Sequence, residues 1–256
     1  MTAYIHPLAG VIFDPSSRAL RMGTRVGIVI PALNPDPARL VRTTELLVEH
    51  LGPAAVRIEV DCPNQVTAAA LAQLSARMSA VSINVADRRR GKGAAIAAGF
   101  DAVATETDVV AFVDADGATD VEAVAALIGT AVRTHQLVVG SRHHPEATID
   151  RQQHPLRRLM GRVFVALAGR VVPIRLSDYQ CGAKAVPSAV WLQLRSAVIG
   201  DGFGFDIWLI TAAMDQDIGV RELPITWTDR SGTTVAPVAT VVELLGALIA
   251  IARRPR

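Results

Sequence analysis

Cysteine is scarce in this 256-residue chain. Cys62 and Cys181 lie too far apart to suggest a disulfide framework or a metal knuckle. Two reduced thiols in a cytoplasmic protein are the plain expectation. A strong excess of one charge is also missing. The formal net charge is +2 and the sequence pI about 8.8, with no stripe of interleaved aromatic and basic residues. That excludes a nucleic-acid-binding surface. Residues 1–24 hold no unbroken apolar segment of the signal-peptide kind, because His6, Asp14, Pro15, Arg18 and Arg21 interrupt them. Nor is there a convincing membrane span. The nearest candidate, residues 235–252, contains Pro237 and Glu243 and runs into Arg253, Arg254 and Arg256. A span needs about 20 apolar residues, and a charge at mid-span is costly. This segment is expected to be a helix packed on the domain or lying in a membrane interface.

What is present is enough to fold. Half of the residues are apolar and a fifth charged, so the chain can bury a sizeable core. Strand-like and helix-like segments alternate through its first half. Residues 26–31 (VGIVIP) suit a strand buried on both faces. Asp36 and Pro37 form a helix start, and Leu40, Val41, Leu47, Val48 and Leu51 keep helical spacing until Gly52 and Pro53. Strands follow at 56–61, 81–86, 109–113 and 137–140. Helices follow at 66–78, 92–103 and from about Thr119 to His135, the last opened by a capping box of Thr119 with Glu122. The alternation predicts an α/β fold, a mostly parallel central sheet with helices on both faces. Ligands then belong at the carboxyl ends of the strands, just after Ile30, Val60, Val85, Val113 and Val139. Beyond Ser141 the pattern becomes a polar loop, a basic and apolar helix over 156–172, and less regular elements. The chain divides into an N-terminal extension (1–24), a main domain (25–234) and a C-terminal amphipathic helix with a basic tail (235–256).

Four segments carry residues fit for chemistry. In VDADG, Asp114 and Asp116 follow an apolar strand, and residues two apart in extended backbone point the same way. Both carboxylates can face one cation, and Mg²⁺ or Mn²⁺ favours a few protein oxygens plus substrate phosphates. In RRRGKG (88–93), glycines and Lys92 at a helix N-terminus suit an anion, although the spacing is not that of a Walker loop. Gly140-Ser141-Arg142 ends another strand, and Arg151, Arg157, Arg158 and Arg162 follow; such cations suit a diphosphate or a phosphate-bearing acceptor. In DYQCG, Asp178 is a candidate general base, or a turn residue. His143 and His144 fit a surface loop better than a second metal site.

Taken together these segments resemble family 2 glycosyltransferases of the GT-A fold, especially the polyprenyl-phosphate (dolichyl-phosphate) mannose and glucose synthases. The resemblance rests on PALNPD (31–36), RGKGAAIAAGF (90–100), VDADGATD (113–120), GSR (140–142), DYQCGAK (178–184) and GFGFDIWLI (202–210), in that order. It implies a GT-A, Rossmann-like sheet. It implies that Asp114 and Asp116 hold the metal on the donor diphosphate of a UDP- or GDP-hexose. Pro31, Leu33, Asn34, Asp61, Gly91, Lys92, Ala115 and Arg142 would complete the donor side. Asp178 would act near the acceptor, with Arg151, Arg157, Gln180, Asp206 and Trp208 around it. Three positions depart from the family pattern. Cys62 follows Asp61 in the nucleobase segment, Trp208 replaces a glutamate, and residues 232–235 lack a late lysine. The expected activity is inverting transfer of a hexose to a polyprenyl phosphate by a protein peripheral to the cytoplasmic membrane face. The alternatives are a soluble small-molecule acceptor, or a relative that binds the nucleotide sugar without turnover.

Overall fold

The computed structural model describes residues 23–151, 155–228 and 237–254. The expected N-terminal extension therefore lies almost wholly outside the described residues, as do the boundary at 234/235 and the late segment 232–235.

The first strand, β1 (Val26–Leu33), is buried along nearly its whole length. Helix α1 (Pro37–Leu51) starts where Asp36 accepts a hydrogen bond from Arg39 N at 3.0 Å, and it stops at Gly52 in the left-handed conformation. Then come β2 (Ala55–Asp61), α2 (Gln65–Arg77) capped by Asn64, β3 (Val81–Ala86) and α3 (Lys92–Val103). Next are β4 (Val109–Val113), α4 (Val121–Thr134) and β5 (Leu137–Ser141). One start signal differs from expectation. Asp120, not Thr119, caps α4, accepting from Val121 N at 2.7 Å, because an aspartate one residue closer outcompetes the threonine.

The later elements are β6 (Thr148–Arg151), α5 (Pro155–Val171), β7 (Ala183–Pro187), α6 (Ser188–Leu194), α7 (Phe205–Asp215), β8 (Val220–Pro224), β9 (Thr226–Thr228) and α8 (Pro237–Ala252). The main sheet runs β3-β2-β1-β4-β7-β5-β8, parallel except for β7, which is antiparallel to both neighbours. A small parallel pair, β6 and β9, stands apart. Successive strands go outward from β1 to β3, then β4 returns to the other side of β1. This reversal opens a crevice at the carboxyl ends of β1 and β4.

Side chains alternate across the sheet into two cores. Ile28, Ile30, Val109, Ala111 and Val113 meet α1, α2 and α4 on one face. Val29, Val110 and Phe112 meet α3, α6 and α7 on the other. There Phe100, Phe112, Trp191 and Phe205 form a ring cluster, with Phe100 and Trp191 edge to face at 5.1 Å.

Helix α8 packs on α5 and α7 and buries Leu248 and Ile251 in this second core. Its outer side is apolar too, with Val242, Leu245 and Ile249 exposed, so a polar outer face is not what distinguishes it. Glu243, at mid-helix, reaches Gly204 N at 3.4 Å. Among the described residues no helix is long and apolar enough to cross a membrane.

The ring cluster gives the first prediction. Phe100 is fully buried, so Phe100→Ala should lower the unfolding free energy by about 3–5 kcal/mol. Urea unfolding should show an earlier midpoint with an unchanged slope.

Candidate active site

A cleft of about 450 Å³ opens at the strand ends that the topology singles out. Pro31, Leu33, Asn34, Asp61, Gly91, Lys92, Asp114, Ala115 and Asp116 line it, which is every residue expected on the donor side except Arg142. Arg39, Arg89 and Phe203 line it as well.

At its floor Asp114 leaves β4, its N–H donating to Gly182 O at 2.9 Å. A Cβ on Gly182 would run into the Asp114 carboxylate, so only glycine leaves room there. The chain then turns through Gly117, and Asp116 accepts from Ala118 N at 3.0 Å. The crowding walls of the cleft, and then the charge of Asp114, raise the Asp116 pKa above the usual carboxylate value. The charges of Lys92 and Arg39 oppose that shift, Lys92 with its Nζ 2.9 Å from Asp114 Oδ1. Burial opposes the Lys92 charge, but Asp114 and Asp206 outweigh it and raise its pKa. Among the described residues no three His, Cys, Asp or Glu side chains form a ready cage for a metal. Two neighbouring carboxylates lining an open cleft fit a hard cation that takes its remaining ligands from phosphates and water.

The RGKG loop differs from expectation in what its glycines do. Gly93 N donates to Gly202 O at 3.1 Å, and Ala94 N to Asp201 O at 2.9 Å. The first donors of α3 are therefore spent on the 200–204 loop. A Cβ on Gly93 would strike that loop, so the close approach is between two backbones, not between backbone and anion. The same loop carries Phe203 into the cleft. Positive charge for an anion comes instead from the side chains of Lys92, Arg39 and Arg89.

Asp61 also turns inward. Its carboxylate accepts from Arg90 N at 2.7 Å, Gly91 N at 3.0 Å and Arg90 Nε at 2.9 Å. Glu59, fully buried in β2, holds Arg57, Asn84 and Arg90. This network fixes the loop that presents Lys92.

Arg142 does not reach the cleft wall. It donates to both oxygens of Asp178, at 2.6 and 3.0 Å, and to Gln180 O, and it lies 5.8 Å from the Trp227 ring centre. Glu222 accepts from the backbone of Ser177 and Asp178. Burial alone would raise the Asp178 pKa, but the Arg142 guanidinium overrides it and holds the carboxyl at about 2. A carboxylate so stabilised is a weak proton acceptor at neutral pH, which bears against the general-base reading of Asp178 and not against an orienting one. Burial, and then Asp178, push the Cys181 thiol up to about 12, which keeps it inert.

The acceptor-side residues separate. Asp206 is fully buried, its Oδ1 2.5 Å from Lys184 Nζ. Trp208 is buried beneath the Arg254 guanidinium, 5.1 Å from its ring centre. Gln180 is half-buried and its Nε2 has no hydrogen-bond partner. The side chains of Arg151 and Arg157 lie outside the described residues.

A profile of the family described as glycosyl transferase family 2 matches residues 27–189. Glycosyltransferase AglD of Haloferax volcanii is 26% identical over 234 residues, 88% of this chain and 36% of that protein. Polyprenol monophosphomannose synthase of Mycolicibacterium smegmatis is 29% identical over 188 residues, 72% of this chain and 70% of that protein. The chain spans 36% of AglD and about half the length of the dolichyl-phosphate beta-glucosyltransferases it also matches. A crystal structure of glucosyl-3-phosphoglycerate synthase from Mycobacterium tuberculosis, in complex with Mn²⁺, uridine diphosphate and phosphoglyceric acid, superposes with a TM-score of 0.65. It is 16% identical, covering 94% of this chain and 82% of that one. At that identity the likeness is one of fold, and the fold is the GT-A fold expected from the sequence.

The Asp178–Arg142 pair predicts a pH dependence. A carboxyl depressed in the folded state contributes stability that is present above its unfolded pKa and lost as pH falls toward the folded value. The loss should run from about pH 4 down to about 2 and amount to about 2 kcal/mol. In urea titrations Asp178→Asn should be less stable at pH 7 and flatter across that window.

Proposed function

This chain belongs to glycosyl transferase family 2, and we infer that it transfers a hexose from a nucleoside-diphosphate sugar to a polyprenyl phosphate, inverting the anomeric carbon. The observation that carries the donor half is the cleft, where Asp114 and Asp116 stand beside Lys92, Arg39 and Arg89. A divalent cation, Mg²⁺ or Mn²⁺, held by Asp114 and Asp116 would neutralise charge on the departing diphosphate. Lys92, Arg39 and Arg89 add fixed positive charge around that group. Leu33 and Asn34 form the wall at the end of β1, Asp61 locks the loop behind Lys92, and Phe203 closes the side opposite.

The acceptor half rests on Asp178. Direct displacement at the sugar needs an oxygen with an available lone pair. A hydroxyl acceptor would need a base to take its proton, and Asp178 is ill suited to that. A phosphate monoester is already ionised and needs only to be oriented, which the Arg142 guanidinium, held in place by Asp178, can do. The names of the polyprenol and dolichyl-phosphate relatives support the same class of acceptor.

A lipid acceptor calls for a membrane-facing surface. Met160, Val163 and Leu167 on α5, and Val242, Leu245 and Ile249 on α8, are exposed at i, i+3, i+7 spacing, and Arg162, Arg170 and Arg253 are exposed alongside. Apolar stripes with arginines on adjacent helices suit peripheral contact with an anionic leaflet.

The assay is release of nucleoside diphosphate from UDP- or GDP-sugars in the presence of polyprenyl phosphate and Mg²⁺. Asp116→Ala should lower turnover on the order of a hundredfold or more; unchanged turnover would remove the metal-holding role. In flotation with anionic liposomes the wild type should rise with the vesicles, and combined Val242→Ser and Ile249→Ser should weaken binding about tenfold. A wild type that ignores vesicles yet glycosylates a soluble phosphate ester would establish the soluble-acceptor alternative instead.

A further inference from the structure

Beneath the cleft the charges alternate along a row: Asp114, Lys92, Asp206, Lys184. Lys92 Nζ is 2.9 Å from Asp114 Oδ1 and 3.9 Å from Asp206 Oδ2, while Asp206 Oδ1 takes Lys184. Phe112 lies beside both lysines, its ring centre 5.4 Å from Lys92 Nζ and 5.5 Å from Lys184 Nζ. Asp206 Oδ2 is buried and has no hydrogen-bond partner. A charged oxygen in that position is expensive unless another state of the protein satisfies it.

We propose that Lys92 occupies Asp114 as a stand-in for the divalent cation and shifts to the waiting Asp206 Oδ2 when the cation is bound, which makes Asp206 the positioning residue for Lys92. The inference rests on the reading above, in which Asp114 and Asp116 hold the cation.

Two observations support it. An ammonium and a divalent cation that both sit on Asp114 repel each other. The Lys92 side chain is only 13% exposed, so leaving for solvent would mean abandoning its packed seat, whereas the second oxygen needs a displacement of only about 1 Å.

Mn²⁺ binding without donor, followed by electron paramagnetic resonance, tests the idea on wild type and Lys92→Met. The methionine keeps the apolar stem, and circular dichroism checks folding. Releasing Asp114 should tighten Mn²⁺ binding about tenfold. Asp206→Asn should weaken Mn²⁺ binding in the wild-type background, because Lys92 loses its second seat, and have a clearly smaller effect beside Lys92→Met. A crystal structure with Mn²⁺ and uridine diphosphate should show Lys92 Nζ within hydrogen-bond distance of Asp206 Oδ2 and away from Asp114. Equal Mn²⁺ affinity in wild type and Lys92→Met, or Lys92 still on Asp114 in the loaded structure, would overturn the inference and leave the metal reading intact. Mn²⁺ bound by neither protein, even with uridine diphosphate, would remove both.

Discussion

Carboxylates held at the edge of a hydrophobic core must each find a cation, and in this protein those pairings organise the whole carboxyl edge of the sheet. Glu59 and Asp61 hold Arg90, Asp114 holds Lys92, Asp178 holds Arg142, and Asp206 holds Lys184. Each pair joins a strand end to a loop or helix arriving from elsewhere in the chain. Breaking one of the buried pairs leaves an uncompensated charge at a low-dielectric site, whereas Asp114 is partly open to solvent. The cleft is therefore a consequence of pairing as much as of topology. The sheet reversal opens the crevice, and the pairs fix the loops that line it.

The pairs also divide the site chemically. On the expected donor side the Ala118 N–H, Lys92 and Arg39 offset the charge of Asp116, yet burial and Asp114 keep its pKa raised. On the expected acceptor side Asp178 is matched by Arg142. A crowded pair of acids favours a cation, and a carboxylate matched by a guanidinium is a weak base. The first condition suits a metal and a diphosphate, and the second suits an acceptor that arrives already ionised.

Much of this was legible in the sequence. The strands from β1 to β5 and the helices between them followed from apolar runs and caps, since each is built from local pattern. The lining of the cleft was legible too, because the strand-end rule and the order of motifs act together. Less legible was whatever depends on contacts between distant segments. Strand β7 hides because Lys184, buried at its second position, breaks the apolar pattern, and only Asp206 twenty-two residues later explains it. Arg39 was within reach of the rule that places ligands after Ile30. Phe203 was not, since its loop reaches the cleft only by docking on α3. The same docking accounts for the glycines at 91 and 93, whose local signal points to a ligand while their actual neighbour is backbone.

Glu243 gives the C-terminal helix a meaning that its position along the chain conceals. Its carboxylate sits against Gly202 and Gly204, in the loop that carries Phe203 and seals the start of α3. Leu248 and Ile251 meanwhile close the second core. A shortened chain ending before α8 would strip the cover from Phe205 and Trp208 and loosen that loop in one stroke. The last helix is therefore part of the folding unit itself, and limited proteolysis near 235 would yield a sticky, partly opened core in place of a trimmed enzyme.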